Sequence, residues 1–135
     1  MPRNLYVNLA VKDLERTVDF FAALGFSFNP KFTDENATCM IVNDSTSVML
    51  LVESFFATFT RKPVADAHAV TETLLAMSVD SRAEVDAFVA TALANGASEY
   101  AEPRDLGFMY QRGIADLDGH QWEVFFMDES QFPLQ

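Results

Sequence analysis

The chain has 135 residues, a length that suits one domain or two small modules sharing a core. Half of the residues are apolar and 21% are charged, which excludes wholesale disorder, and no apolar run is long enough to cross a membrane. Nine basic and 20 acidic residues give a net charge of −11, which disfavours nucleic acids and anionic membranes as partners and favours a cationic ligand, or simply keeps the protein in solution.

The first half of the chain predicts one helix among four strands. Residues 5–11 alternate between an apolar face and a mixed face that holds Tyr6 and Asn8, as in a half-buried strand. Asp13 is typical of a helix N-cap and Gly25 of a helix end, so we expect a helix between them. The remaining strands of this half are predicted at 26–32, 37–42 and 47–53.

Residues 54–73 differ in character from the segments on either side. Phe55, Phe56 and Phe59 form a short aromatic stripe, and a polar stretch follows. A connection of this length in a small protein predicts either a mobile lid or a linker. A third reading is a surface that docks a partner.

The pattern of the first half returns after residue 73. Residues 74–79 alternate, Ser81 and Glu84 have the spacing of a capping box, and Asn95 with Gly96 ends the predicted helix. Three more strands are predicted at 97–101, 108–115 and 121–127.

The chain therefore contains one strand–helix–strand–strand–strand unit twice. Such a repeat predicts that each half needs the other to bury its sheet. In both halves the sheet face towards the helix is predicted to be apolar and the other face mixed. A mixed face suits a curved sheet whose concave side holds a cavity.

The single Cys39 leaves no partner for an internal disulfide. Its position in a predicted strand is typical of an inert, buried side chain. We expect a reducing, cytoplasmic location.

Two motifs resemble those of a known superfamily. Residues 11–26, which begin VKDLERTVDFF and end LGF, look like the opening of vicinal oxygen chelate proteins. Residues 116–124, DLDGHQWEV, look like the closing motif, with Leu117 where proline is usual. This superfamily includes glyoxalase I, bleomycin-resistance proteins and extradiol dioxygenases.

The resemblance implies an α+β fold in which two βαβββ modules form a cup-shaped mixed sheet. The whole chain, 1–135, would be a single glyoxalase-like domain. Its parts would be module 1 at 1–53, a connecting lid segment at 54–73 and module 2 at 74–128.

The resemblance also implies four positions that hold a divalent metal in metal-using members. They fall on Tyr6, Met49, Leu74 and Glu123, of which only Glu123 matches. A catalytic divalent ion needs about three protein ligands, and this set offers one carboxylate. We therefore predict no metal and no other cofactor, with a divalent metal at a misaligned site as the alternative.

Glu123 is the candidate catalytic base or the anchor of a cationic ligand; otherwise it is a former metal ligand now paired with a neighbour. Tyr6 either donates to a ligand or fills the place of a lost metal. Arg112 and Tyr110 either point into the cavity together or face acidic groups at the surface. The predicted ligand-binding residues are Tyr6, Asn8, Met49, Leu74, Ala76, Tyr110, Arg112 and Phe125.

These residues predict a protein that binds a small molecule without metal, as bleomycin-resistance proteins do. The alternative is an enzyme that resembles lactoylglutathione lyase, or an isomerase, with Glu123 as base or residual metal ligand. The 13 Phe residues and the habit of the resembled superfamily predict a homodimer.

Overall fold

The computed structural model describes residues 3–131, and the chain divides into two compact units between Asp66 and Ala67. Among residues 3–131 the longest helix has 13 residues, and none has the length and apolarity needed to cross a bilayer. Each unit contains its own mixed sheet.

The first unit builds a four-stranded sheet with one long helix. Its elements are β1 (Leu5–Val11), α1 (Leu14–Ala23), β2 (Ser27–Asn29), β3 (Ala37–Ile41), β4 (Thr46–Val52) and the short helix α2 (Glu53–Phe56). The strand order is β1-β4-β3-β2, with β1 parallel to β4 and the other pairs antiparallel. The first strand thus pairs with the last one, and β1 and β2 form the two edges of the sheet.

Local signals set the ends of these elements. The Asp13 carboxylate accepts a hydrogen bond from Arg16 N at 3.1 Å, which caps α1 as predicted. Gly25 has a φ of 96°, the left-handed conformation that ends a helix. The predicted strand 26–32 is wrong in its second half, because Pro30 begins a 3₁₀ turn after β2.

The second unit repeats the arrangement. Its elements are β5 (Leu74–Ser78), α3 (Arg82–Ala94), β6 (Ser98–Glu99), β7 (Arg104–Asp105), β8 (Met109–Ala115) and β9 (Gln121–Met127). The strand order is β5-β9-β8-β6, with β5 parallel to β9, and β7 also pairs with β8. The two-residue strand β7 was not predicted. The paired βαβββ modules and the α+β class are confirmed.

Helix α3 has Ser81 as its N-cap, with Glu84 bonded one residue before the position of a capping box, and packs on the sheet of its own unit. Ser81 Oγ accepts from Glu84 N at 3.1 Å, and the Glu84 carboxylate accepts from Asp80 N at 3.2 Å. The core between helix and sheet is formed by fully buried apolar side chains: Val85, Val89, Ala92, Ile114, Trp122 and Val124. Burial of these groups is the main stabilising term of the unit.

Residues 54–73 begin with helical structure rather than an extended linker. After α2 comes a 3₁₀ turn, Ala57–Phe59, in which the Phe59 side chain is 69% exposed and its ring meets that of Phe55 edge to face. The lid and the docking interpretations of this segment both stay predictions.

The turn between β8 and β9 is organised by one buried carboxylate. Asp116 is 6% exposed and accepts hydrogen bonds from Asp118 N, His120 N and Trp122 Nε1 at 2.9–3.0 Å. Burial raises the pKa of Asp116, and the positive field of His120 and the bond from Trp122 oppose that rise. Asp116 thereby ties the turn to the largest buried side chain of the core.

The α3 side of the second sheet is not uniformly apolar, which corrects the prediction. Arg112 donates from Nε and Nη2 to both oxygens of Glu99, and from Nη1 to Asp86 Oδ1, all at 2.9 Å. The Tyr110 hydroxyl donates to the same Asp86 oxygen at 2.6 Å. Arg82 lies over the Tyr110 ring at 5.1 Å, so one polar chain joins α3 to β6 and β8.

Replacing Asp116 with Ala should lower the free energy of unfolding by about 1–3 kcal/mol, because three donors at the β8–β9 turn lose their acceptor. Urea denaturation followed by Trp122 fluorescence measures it. Asp44→Ala, the same change in the exposed turn before β4, should leave stability nearly unchanged. Equal losses in the two variants would contradict the role of Asp116.

The hydrogen-bonded group of Arg112, Glu99 and Asp86 should make the protein less stable as the pH falls. Hydrogen bonds from Arg112 lower the pKa of Glu99 from its ordinary 4.5, and bonds from Tyr110 and then Arg112 lower that of Asp86 from 3.8. A carboxylate with a lowered pKa stabilises the fold above its ordinary pKa, and this contribution is lost as pH falls through the folded pKa. Arg112→Met should therefore cost about 1 kcal/mol near neutral pH, since the carboxylates are partly exposed.

The difference in stability between wild type and Arg112→Met should shrink as the pH falls below about 4.5. Asp116 titrates in both proteins, so its contribution cancels in the difference. Arg104→Met, which removes an exposed arginine of β7, is the matched control. A difference that stays constant from pH 7 to pH 3 would show that the ion pairs do not carry the effect.

Candidate functional site

A single row of residues crosses the second sheet on the face away from α3, here called the mixed face. Glu123 in β9 lies opposite Ala76 in β5 and opposite Gly113 in β8. Strand alternation directs Glu123 to the mixed face, because its neighbours Trp122 and Val124 are buried on the α3 side. Tyr100 follows β6 and continues the row beside Gly113.

The absence of a side chain at Gly113 lets the Tyr100 ring lie directly across β8. A Cβ atom built on Gly113 would come within 2.6 Å of Tyr100 Cζ and of the Tyr100 hydroxyl oxygen. Real Cβ contacts are not that short, so any larger residue at 113 requires the ring to move. Gly113 therefore acts as a cradle that brings Tyr100 towards Glu123.

The Tyr100 hydroxyl is buried and unpaired. Of the buried side-chain polar atoms in residues 3–131, Tyr100 Oη is the one without a hydrogen-bond partner. Burial raises the pKa of Tyr100, and the neighbouring negative charge of Glu123 adds to that rise. A weak hydrogen bond towards the Glu123 carboxylate raises the pKa of Tyr100 further, so the hydroxyl lies next to the carboxylate but is not aligned for a full hydrogen bond.

The surroundings of Glu123 are apolar or small. Ala76 and Gly113 flank it in the row, and Leu74 and Phe125 lie on the same face one step away in register. Leu74 is 52% exposed, and Glu123 and Phe125 are half-buried. No Arg, Lys or His among the described residues forms an ion pair with Glu123, so its carboxylate can accept hydrogen bonds from a bound molecule.

Tyr110 and Arg112 lie on the opposite face from Glu123. In the β8–β9 register Arg112 is opposite Val124 and Tyr110 opposite Phe126, so both share the face that packs on α3. The alternative in which Arg112 pairs with acidic groups is the one observed. The expectation that these two side chains point to the Glu123 side is corrected by this register.

The predicted site residues of the first unit share the corresponding face of their own sheet. Asn8 lies opposite Met49, which lies opposite Cys39, in the row equivalent to that of Ala76, Glu123 and Gly113. The exposed Tyr6 is two residues before Asn8, whose amide donates to the Tyr6 carbonyl at 3.4 Å. Asn29 of β2 continues this row opposite Cys39, so the row offers two amides and two sulfur atoms and contains no charged group.

The residues around Glu123 do not fit a divalent metal ion. Within residues 3–131 no three His, Cys, Asp or Glu side chains lie close enough together to hold one. The neighbours of Glu123 in its row are Ala76, Gly113 and the raised-pKa phenol of Tyr100, which offer no second anionic ligand. We derive no chemistry through a metal, and metal-free binding stays a prediction.

Sequence reasoning missed Tyr100. The residue follows a strand of only two residues, and its approach to Glu123 depends on the register between β6 and β8. One signal was present: Gly113 interrupts a strand of larger residues, and an isolated glycine in a strand marks a place where another group comes close.

Comparison with known proteins agrees with this architecture. A family model described as "Bleomycin resistance protein-like N-terminal" matches residues 3–43. No curated protein matches the chain.

Several solved structures share the fold. A hypothetical protein from S. aureus, SA1046, is 25% identical with a TM-score of 0.80, over 93% of this chain and 94% of that one. A glyoxalase-related enzyme from Fulvimarina pelagi is 19% identical with a TM-score of 0.79, over 100% and 94%. TnmS3, an antibiotic-binding protein from Streptomyces sp. CB03234, is 20% identical with a TM-score of 0.65, over 94% and 97%.

The family model over residues 3–43 and the shared fold agree with the two sequence motifs. The chain has the fold of the glyoxalase/bleomycin-resistance/dioxygenase proteins and is similar to the vicinal oxygen chelate superfamily.

Proposed function

We propose that this protein binds a small, positively charged organic molecule on the mixed face of the second sheet, with Glu123 as the anchor and without a metal ion. The observation that carries the proposal is a half-buried carboxylate with no ion-pair partner among the described residues. A carboxylate accepts hydrogen bonds and donates none, so a cationic donor is its natural complement.

The groups around Glu123 suit the body of such a ligand. Ala76 and Gly113 have the smallest side chains available, and Leu74 and Phe125 add apolar surface on the same face. Ligand sites combine a mostly apolar lining with a few polar anchors, and this face has that composition. The net charge of −11 attracts a cation over a longer range.

TnmS3, which shares the fold, is described as an antibiotic-binding protein, and this supports a binding role. A second candidate is a lyase or isomerase of the glyoxalase type with Glu123 as base. It is favoured by one observation, the Tyr100 hydroxyl beside the carboxylate, because an acid next to a base can move a proton both ways. A methylglyoxal–glutathione assay tests that candidate directly.

Glu123→Gln should weaken binding of a cationic probe while leaving a neutral probe unaffected. We expect benzylammonium to lose about 10-fold in affinity, because an ion pair with the carboxylate is replaced by a hydrogen bond to a neutral amide oxygen. Benzyl alcohol, similar in shape, should bind both proteins alike. NMR titration of the ¹⁵N-labelled protein measures both dissociation constants.

Glu102→Gln is the matched control, because Glu102 is an exposed acid of the same unit and its replacement changes the net charge equally. Titrations in the presence of a chelator should give the same constants, as expected for binding without metal. Equal affinity of wild type and Glu123→Gln for benzylammonium, or no binding to wild type, would contradict the proposal.

We also propose that the protein forms a homodimer in a reducing compartment. Strand β1 is an edge of the first sheet and β5 of the second, and each carries exposed apolar side chains: Leu5, Tyr6 and Leu74 are 61%, 46% and 52% exposed. Apolar edge strands are favourable surfaces for association. Light scattering over a dilution series should give twice the chain mass of 15.1 kDa, and a mass near one chain would refute the dimer.

A further inference from the structure

Packing alone does not explain why residue 100 of the second unit is a tyrosine. A buried hydroxyl without a partner costs free energy, and folded proteins avoid such groups unless something else satisfies them. Phenylalanine at this position would fill the same space without that cost. The chain instead places the hydroxyl beside Glu123 and leaves residue 113 without a side chain to permit it.

The Tyr100 hydroxyl can act both as a donor and as an acceptor on the mixed face. It can donate its hydrogen to the Glu123 carboxylate, and its oxygen can at the same time accept a hydrogen from a bound group. Tyr100 Oη is enclosed in the absence of ligand, so a cation that donates to Glu123 reaches it only if the carboxylate and the Tyr100 ring, which lies over Gly113, move apart to admit the second N–H. One cation would thus satisfy both groups.

We propose that Tyr100 is a specificity-determining residue that selects cations with at least two N–H donors, one N–H bonding to Glu123 and a second to Tyr100 Oη. Primary ammonium, amidinium and guanidinium groups meet this requirement, and tertiary ammonium groups, with a single N–H, do not. This inference rests on the proposed function and adds a ligand class to it.

The test compares two cations of equal charge, benzylammonium with three N–H groups and N,N-dimethylbenzylammonium with one. Wild type should bind benzylammonium about 5–10-fold more tightly than N,N-dimethylbenzylammonium, because one hydrogen bond contributes an affinity difference of about that size. Tyr100→Phe should reduce that preference to less than about 2-fold, because the second acceptor is gone. The substitution removes one oxygen atom and retains the ring, so a preference caused by the bulk of the methyl groups would persist in the variant.

Tyr110→Phe is the matched control. It removes a hydroxyl that is bonded to Asp86 on the α3 side, and it should keep the preference of wild type. Gly113→Ala should displace the Tyr100 ring and reduce the preference for benzylammonium, as Tyr100→Phe does. Since Gly113→Ala can disturb the sheet, the Tyr100→Phe result decides.

Stability gives a readout that a purely structural tyrosine would not show. In the absence of ligand, Tyr100→Phe should unfold at the same or a higher urea concentration than wild type, because an unpaired buried hydroxyl is removed. A tyrosine kept for structural hydrogen bonding would instead leave the variant less stable, and that result would overturn the inference.

The binding outcomes separate this inference from the proposed function. If Glu123→Gln weakens both cations while Tyr100→Phe keeps the preference of wild type, the specificity role is wrong and the anchor role stands. Equal affinity of wild type for the two cations also overturns the specificity role. If Glu123→Gln binds both cations as wild type does, the proposed function fails and this inference fails with it.

Discussion

The hydrogen bond from Trp122 Nε1 to the buried Asp116 carboxylate fixes strand β9 at its start. Trp122 is the largest fully buried side chain, so this bond and the surrounding core determine which residues of β9 face α3. Because side chains alternate along a strand, the orientation of Trp122 decides that of Glu123. The β8 register then places Gly113 beside Glu123 and sends Arg112 to the other face. A core contact therefore positions a carboxylate that is itself not part of the core.

The polar groups on the two faces of the second sheet differ in whether they have hydrogen-bond or ion-pair partners. On the α3 side a continuous chain of hydrogen bonds runs from Glu99 through Arg112 and Asp86 to Tyr110. On the mixed face Glu123 has no ion pair among the described residues, and the Tyr100 hydroxyl has no hydrogen bond. Paired charges on one face give rigidity, whereas unpaired groups on the other are available to a ligand.

The sequence was sufficient to predict much of the fold and part of the site. Strands β1 and β9 have the predicted bounds, since hydrophobic alternation and flanking turn residues define them locally. Asp13 and Ser81 cap the two long helices as predicted. The face of Arg112 could not be predicted, because alternation shows which residues share a face but only the register with β9 shows which face holds Glu123. Tyr100 was missed for the same reason, as its place depends on pairing across three strands.

The parallel pairing of first and last strands also bears on how the chain folds. In each unit the first strand can pair only when the last strand has been made: Leu5 pairs with Thr46, 41 positions later, and Leu74 pairs with Gln121, 47 positions later. Until β9 has been made, β5 has no strand to pair with. The β8–β9 hairpin, by contrast, joins two strands that are close together in sequence. We therefore expect the β8–β9 hairpin to form before β5 docks, so the row that contains Ala76 and Glu123 is completed only after Gly113 has paired with Glu123.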